Sequence, residues 1–248
     1  PLVSGASLIN KGDTARRVEF ETDVILYFPP GSPIRDDYRA IRDRLSGISP
    51  MNVVIEAAPG RSVSEPVALA AMLQLATVLE ARPEVGRALS LADPILQLQR
   101  GFAGAEVIPD SQAAIEQYLL LLESVEHVRD LVTADRRSAS VVMRVDDNGS
   151  NDLLRVADFA EQWWREHGPA GFDARVTGIM HEYARSEHEL ERGQIAGLAS
   201  ALGVVGAIFA LAFRSLRVAL IGLVPNAMSL ALAFGGMGLL GVPLDAGT

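Results

Sequence analysis

The sequence predicts an α+β domain followed by a two-helix transmembrane hairpin. Three observations point there: two stretches that alternate strand-like and helix-like patterns, a helix-rich insert between them, and two long closing runs without an ionisable side chain. The chain has 248 residues, enough for one large or two modest domains. Its formal net charge of -9 gives no electrostatic reason to expect a nucleic-acid partner. With 0 cysteines, disulfides and thiolate metal sites are excluded and the redox compartment stays open.

Arg17 to Phe28, RVEFETDVILYF, is rich in β-branched and aromatic residues and stops at Pro29, Pro30 and Gly31, so it reads as a strand meeting a turn. Ile34, Tyr38, Ile41 and Leu45 then recur at helical spacing until Gly47 and Pro50 end the pattern, and Met51 to Ala57 is a second apolar strand. Residues 17–57 thus read as one βαβ unit. The insert, residues 64–123, reads as helical. Ser64 is placed to cap a helix with Pro66 in its first turn and Leu69, Leu73, Ala76 and Leu79 on its inner face, closed by Pro83. Pro94 and Gly104 break the next segment. Asp110 or Ser111 then caps a third helix with Ile115, Leu119 and Leu122 inward, and the run from Leu119 to Leu122 reads as core. A second βαβ unit occupies residues 138–180: strand Ser138 to Val145, a turn at Asp147, Asn148 and Gly149, helix Asp152 to His167, and strand Ala174 to Met180. The expected buried positions are Val18, Phe20, Val24, Val53, Ile55, Val142, Val145 and Val176.

The hairpin follows from charge. Gly193 to Phe213 holds no Asp, Glu, Lys or Arg over 21 residues, and Val218 to Leu244 holds none over 27, against the ~20 a helix needs to cross a bilayer core. Gln194, Ser200, Asn226 and Ser229 supply too little polarity for the stripe of a soluble core helix. The division is therefore a domain over residues 1–190 and a hairpin over 191–248, with spans near 193–213 and 218–240. Between the spans stand Arg214 and Arg217 with no acid, and short loops rich in arginine stay cytoplasmic, so the domain faces the other side. Pro1 to Asn10 is no signal peptide, so an upstream segment is expected to export the domain, and the chain reads as a fragment of a longer polytopic protein. Gly193, Gly197 and Ala201 form a small-residue face suited to helix packing. Pro225 is expected to kink the second span, Asn226 to need a polar partner, and the glycines at 235, 236, 238 and 241 to allow close packing or a flexible end.

Sites for chemistry are sparse. His181, Glu182 and His188 suggest a metal, but the two histidines are seven apart rather than four, with charges interleaved, and a solvated helix explains them. Asp36 and Asp37 complement a helix N-terminus. Asp146, Asp147, Asn148 and Gly149 lack the rest of a calcium loop and read as a turn. Of the tandem Trp163 and Trp164, one is expected to reach solvent or another domain. No nucleophile and base arrangement is visible, so no enzyme, metal or cofactor is expected.

The stretches YFPPGSPIRDDYRAIRDRLSGISPMNVVIEA, RPEVGRALSLAD and GQIAGLASALGVVGAIFALAFRSLRVALIGLVPNAMSLALAFGGMGLLGVPLD together resemble the resistance-nodulation-division superfamily of exporters, nearest its MMPL-like and hopanoid-transporter-like branch. The VPN at Val224 to Asn226 and the GVPLD at Gly241 to Asp245 look more like the second half of those doubled proteins. The resemblance implies one periplasmic porter loop of ferredoxin-like βαβ units and the next two membrane helices of a bacterial inner-membrane protein. The intramembrane acids of the family's proton relay lie on the following helix. Asp245, at the end of a span beside Pro243, reads as an interfacial turn residue rather than a proton carrier.

The function expected is a share in a proton-motive-force-driven exporter of lipidic or other hydrophobic molecules. The alternatives are a membrane-anchored lipid or sterol-like sensor or scaffold without transport and, with no feature in its favour, a tethered hydrolase. Expected partners are the hydrophobic substrate, the remaining membrane helices and the partner repeat, with a homo-oligomer allowed. A substrate leaving the bilayer loses roughly 0.8 kcal/mol per CH2 of burial, so an apolar passage is required. Ile179, Met180, Tyr183 and Leu190, where the helix from His181 to Arg192 leads into the first span, are the candidates to line it. Packing of the domain onto the membrane helices is the competing role for each.

Overall fold

The computed structural model describes residues 31–45, 47–145 and 149–240, with Ile25, Phe28 and Pro29. The chain divides into two units, one from Asp23 to Arg185 and one that takes Ser186 onward.

The first unit is built on a four-stranded sheet of β1 (Ser49–Ala57), β2 (Val85–Leu89), β3 (Ser138–Val145) and β4 (Phe172–Thr177) in the order β2-β3-β1-β4. All three neighbouring pairs are antiparallel, with Val53 opposite both Val141 and Val176. Side chains alternate along the strands. Met51, Val53 and Ile55 of β1 share the buried face with Val141, Met143 and Val145 of β3, while Glu56 and Arg144 stay exposed on the other. Two helices cover the buried face. The helix α2 (Pro66–Glu80), between β1 and β2, contributes Leu69, Met72, Leu75 and Leu79; α6 (Ser150–His167), between β3 and β4, contributes Leu153, Val156, Ala160 and Trp164. Glutamates on these helices reach the sheet's two edges: Ala88 N–H of β2 donates to Glu80 at 3.0 Å, and Val176 N–H of β4 to Glu161 at 2.9 Å. The remaining helices are α1 (Pro33–Leu45), α3 (Ala92–Ala103), α4 (Gln112–Leu122) and the single turn α5 (Glu126–Arg129).

Several expectations change. Of the strand expected over Arg17 to Phe28, residues 17–24, 26 and 27 lie outside the described residues, as do Val18, Phe20 and Val24 of the expected core. At its end the chain turns, Phe28 N–H donating to Ile25 C=O at 3.3 Å. The unit seen at β1 runs forward instead, through α2 to β2. β2 therefore lies inside the segment expected to be helical. Its five residues, VGRAL, are too few and too mixed to show a period, and pairing with β3 makes it a strand. Ser64 does not cap α2: Glu65 holds that position without a side-chain bond. The last expected strand ends at Thr177, because Gly178 adopts φ +122° with its α-carbon side facing Met51 and Asn52 of β1, and the helix begins at Ile179. Val142 is only half-buried, since β3 turns Val141 and Met143 inward. In the Leu119 to Leu122 run only Leu119 is buried, with Leu120 and Leu121 exposed.

Helix α7 (Ile179–Phe213) runs from the first unit into the second, where α8 (Leu216–Leu240) follows. Two residues connect them. Arg214 takes a left-handed φ of +48°, and Ser215 C=O accepts the Ala219 N–H at 3.1 Å. The two helices pack through glycine: a Cβ at Gly206 would lie 2.9 Å from Leu223, and one at Gly222 would lie 2.8 Å from the Phe209 ring. Ala219, between these contacts and the turn, is buried.

Candidate functional site

The first turns of α7 attach to the sheet domain on one side only. Met180 packs against the core, and His181 and Ala184 are buried, while Ile179 is 76% and Tyr183 41% exposed. Residues one apart on a helix point 100° apart, so the four-residue spacing of Ile179 and Tyr183 puts both on the outward side. The expected passage residues thus separate. Ile179 and Tyr183 are exposed; Met180 serves the packing role. Leu190, in the other unit, is 57% exposed. His181 Nδ1 approaches Glu182 Oε1 at 3.4 Å, and among the described residues no three of His, Asp and Glu converge as metal ligands would.

A polar clasp holds the loop between β1 and α2. Arg61 donates from Nε and Nη2 to the Glu65 carboxylate at 2.8 and 2.7 Å, donates to Ala170 C=O at 3.1 Å, and lies over the Phe172 ring at 4.9 Å. Hydrogen bonding from Arg61 holds the Glu65 carboxyl below its ordinary pKa, helped by the Ser62 N–H. Arg61 is raised in turn by Glu65. Beyond it the buried Ser64 hydroxyl donates to Glu116 of α4 and accepts from Gln112 at 3.2 Å. Arg136, at φ +54°, pairs with Glu116 and Glu123 at 3.4 and 3.3 Å, while its carbonyl accepts Val63 N–H at 3.0 Å. This network ties three parts of one unit together. Asp135, in the same turn, is held below its ordinary pKa by the Thr133 hydroxyl and the Arg137 N–H.

The tandem tryptophans take different environments. Trp164 is buried and donates to Phe172 C=O at 3.0 Å; Trp163 is half-buried and stacks on His167 at 4.9 Å. Asp146, Asp147 and Asn148 lie outside the described residues, as do Gly241 to Asp245.

In the second unit two hydroxyls bond to the backbone of their own helices. The Ser200 hydroxyl is 2.9 Å from Ala196 C=O, and the Ser229 hydroxyl 2.9 Å from Pro225 C=O. Pro225 sits inside α8, which continues beyond it to Leu240. Asn226 is exposed, with no hydrogen bond among the described residues. Arg214 forms the turn and Arg217 lies in the first turn of α8, both exposed. Nothing lies within 4 Å of a Cβ added at Gly193 or Gly197, so their face is not the one that meets α8. The glycines that do, Gly206 and Gly222, escaped the reading of the sequence. Their placement eight residues before and eight after Arg214 was the available signal, because helices folded back at a tight turn meet at equal distances from it.

Both helices are long and apolar enough to cross a membrane, and of the most apolar window only 0% in α7 and 6% in α8 is buried. A core helix of a soluble protein would be buried there. No curated protein matches the chain significantly. The MMPL family model matches residues 28–245, from the start of the sheet domain's described residues through both apolar helices, and the chain therefore belongs to the MMPL family of RND-type membrane transporters.

Proposed function

We propose that the chain is part of a proton-motive-force-driven exporter of lipidic or other hydrophobic molecules, and a transporter rather than an enzyme. The observation that carries the reading is the family match across a sheet domain and two unburied apolar helices. Arg214 and Arg217 at the turn support a cytoplasmic hairpin loop, hence a periplasmic sheet domain in a bacterial inner membrane. The strand order β2-β3-β1-β4, with every neighbour antiparallel and one helix in each crossover, supports a ferredoxin-like porter module. The exposed Ile179 and Tyr183 are the residues of this chain best placed to meet an apolar substrate.

The test uses the full-length protein in proteoliposomes loaded with a fluorescent long-chain lipid analogue. Flux should follow an imposed pH gradient and collapse with a protonophore. Absence of flux would remove the export reading in favour of a lipid-sensing scaffold; flux indifferent to the gradient would remove proton coupling. Ile179→Glu and Tyr183→Glu should lower flux without loss of folded protein, whereas Met180→Glu should reduce the yield of folded protein, because Met180 packs on the core. Unimpaired flux in the first two variants removes the passage from this helix.

A further inference from the structure

In the middle of the membrane hairpin stands a polar side chain that nothing in it satisfies. The Ser200 and Ser229 hydroxyls bond to their own helices, whereas the Asn226 amide has no hydrogen bond among the described residues. Its depth is set by the turn. Asn226 follows Leu216, the first residue of α8, by ten residues. At 1.5 Å per residue this lies about 15 Å in, half of the ~30 Å hydrocarbon core. Water is scarce at that depth and lipid headgroups lie half a bilayer away, so the N–H donors and the carbonyl of the amide find partners only on protein.

Asn226 lies on the side of α8 that faces α7. At about 100° per residue, Gly222, Ala219 and Leu223 share one arc of α8; Gly222 meets Phe209 and Leu223 meets Gly206. Asn226 falls inside that arc, one turn beyond Gly222, yet it is exposed. The two helices therefore leave an opening on their facing sides at the depth of the amide. By the pairing of Gly206 with Leu223, the residue of α7 level with Asn226 is Gly203, where an added Cβ would have nothing within 4 Å. Its neighbours Leu202 and Val204 are apolar. At this level α7 brings no hydrogen-bonding side chain to the amide.

We propose that this opening receives another transmembrane helix of the full-length transporter, held by a hydrogen bond between the Asn226 amide and a polar side chain near the middle of that helix. Such a contact fixes the depth of the incoming helix, because a slip of one turn, ~5.4 Å, strands both polar groups in hydrocarbon. The opening selects a single helix over a second copy of the hairpin, since in a second copy the Asn226 amide sits between its own α7 and α8 in the same way. An acyl chain fits the apolar walls but leaves the amide unsatisfied. The proposal rests on the reading of the chain as part of a larger transporter and is independent of what is moved.

Two measurements on the full-length protein test it. With p-benzoylphenylalanine in place of Asn226, irradiation in membranes should link that position to a further membrane helix of the same polypeptide, located by peptide mass spectrometry. A link to lipid alone, to α7, or between two copies overturns the proposal. The second measurement is thermal unfolding in lipid nanodiscs that hold one copy each. Asn226→Leu should lower the melting temperature, because the polar group on the incoming helix is left unpaired, and Asn226→Gln, which keeps the amide, should lower it less. An amide that meets only lipid predicts the opposite, since Asn226→Leu then removes an unpaired polar group from hydrocarbon. A raised or unchanged melting temperature overturns the proposal, and this series decides alone if the benzophenone variant does not fold. Neither measurement reads flux, so failure here leaves the export reading standing, and absence of flux leaves the helix contact standing.

Discussion

Gly222 and Gly206 do the same job with different tolerance. Gly222 faces the flat, stiff ring of Phe209, and Gly206 faces the end of the flexible Leu223 side chain. Gly222→Ala is therefore expected to destabilise the hairpin by ~1–3 kcal/mol, the usual cost of overpacking, and Gly206→Ala by less. Gly197→Ala, with open space around it, should be near neutral in this hairpin. Thermal unfolding in detergent ranks the three. Another residue-scale test concerns Glu65. Its carboxyl is held below the ordinary glutamate pKa by Arg61, so the stability it contributes is present at neutral pH and lost as pH falls through the lowered value. Hydrogen exchange over residues 58–65, corrected for the intrinsic effect of pH, should quicken on the acid side of the usual carboxylate range. In Glu65→Gln it should already be fast at neutral pH.

The long helices and the strands with clear alternation were legible in the sequence, and the exceptions have local causes. β3 and α6 fall close to their expected bounds because Ser138 to Val145 is rich in branched residues and Leu153, Val156, Ala157 and Ala160 follow a helical period. β2 was hidden because a five-residue edge strand owes its form to its neighbour. Leu120 and Leu121 depart from the expected core because four leucines in succession cannot all face one side of a helix, and composition does not say which will. Of the passage residues, the sequence pattern sets Ile179 and Met180 at the end of a strand and Tyr183 and Leu190 on the helix after it; α7 instead begins at Ile179, and the sheet domain takes Met180 and leaves Ile179 and Tyr183 exposed. Packing of α6 on β4 offers a measurable consequence. Trp164→Phe removes the donor to Phe172 C=O and leaves a buried acceptor unpaired, at a cost of about 1–3 kcal/mol. Trp163→Phe, at a half-buried position without that bond, should cost clearly less in the same denaturant titration.

For the whole molecule, the decisive property is which side of the membrane each end of α7 occupies. Arg214 and Arg217 predict a cytoplasmic turn. Ser215→Cys should react with an impermeant maleimide only when the cytoplasmic face is open to it, and Glu166→Cys on the sheet domain only from the opposite face. The reverse labelling would overturn the orientation and, with it, the periplasmic placement of the domain. The hairpin was readable from the uncharged runs, and the family from those runs together with two charged stretches of the sheet domain, residues 27–57 and 82–93. The path of a substrate was not, because the chemistry of an apolar passage uses the same residue types as a core.

The two-residue connection between α7 and α8 leaves no slack. Each residue added to or removed from the stretch between Phe209 and Gly222 turns one helix by about 100° relative to the other, unless the turn itself unwinds. Either outcome carries Phe209 off Gly222 and Leu223 off Gly206. The hairpin should therefore accept changes of residue at Arg214 and Ser215 far more readily than changes of length. Among natural variants of this segment, the interval between Gly206 and Gly222 is expected to be constant even where the residues inside it differ.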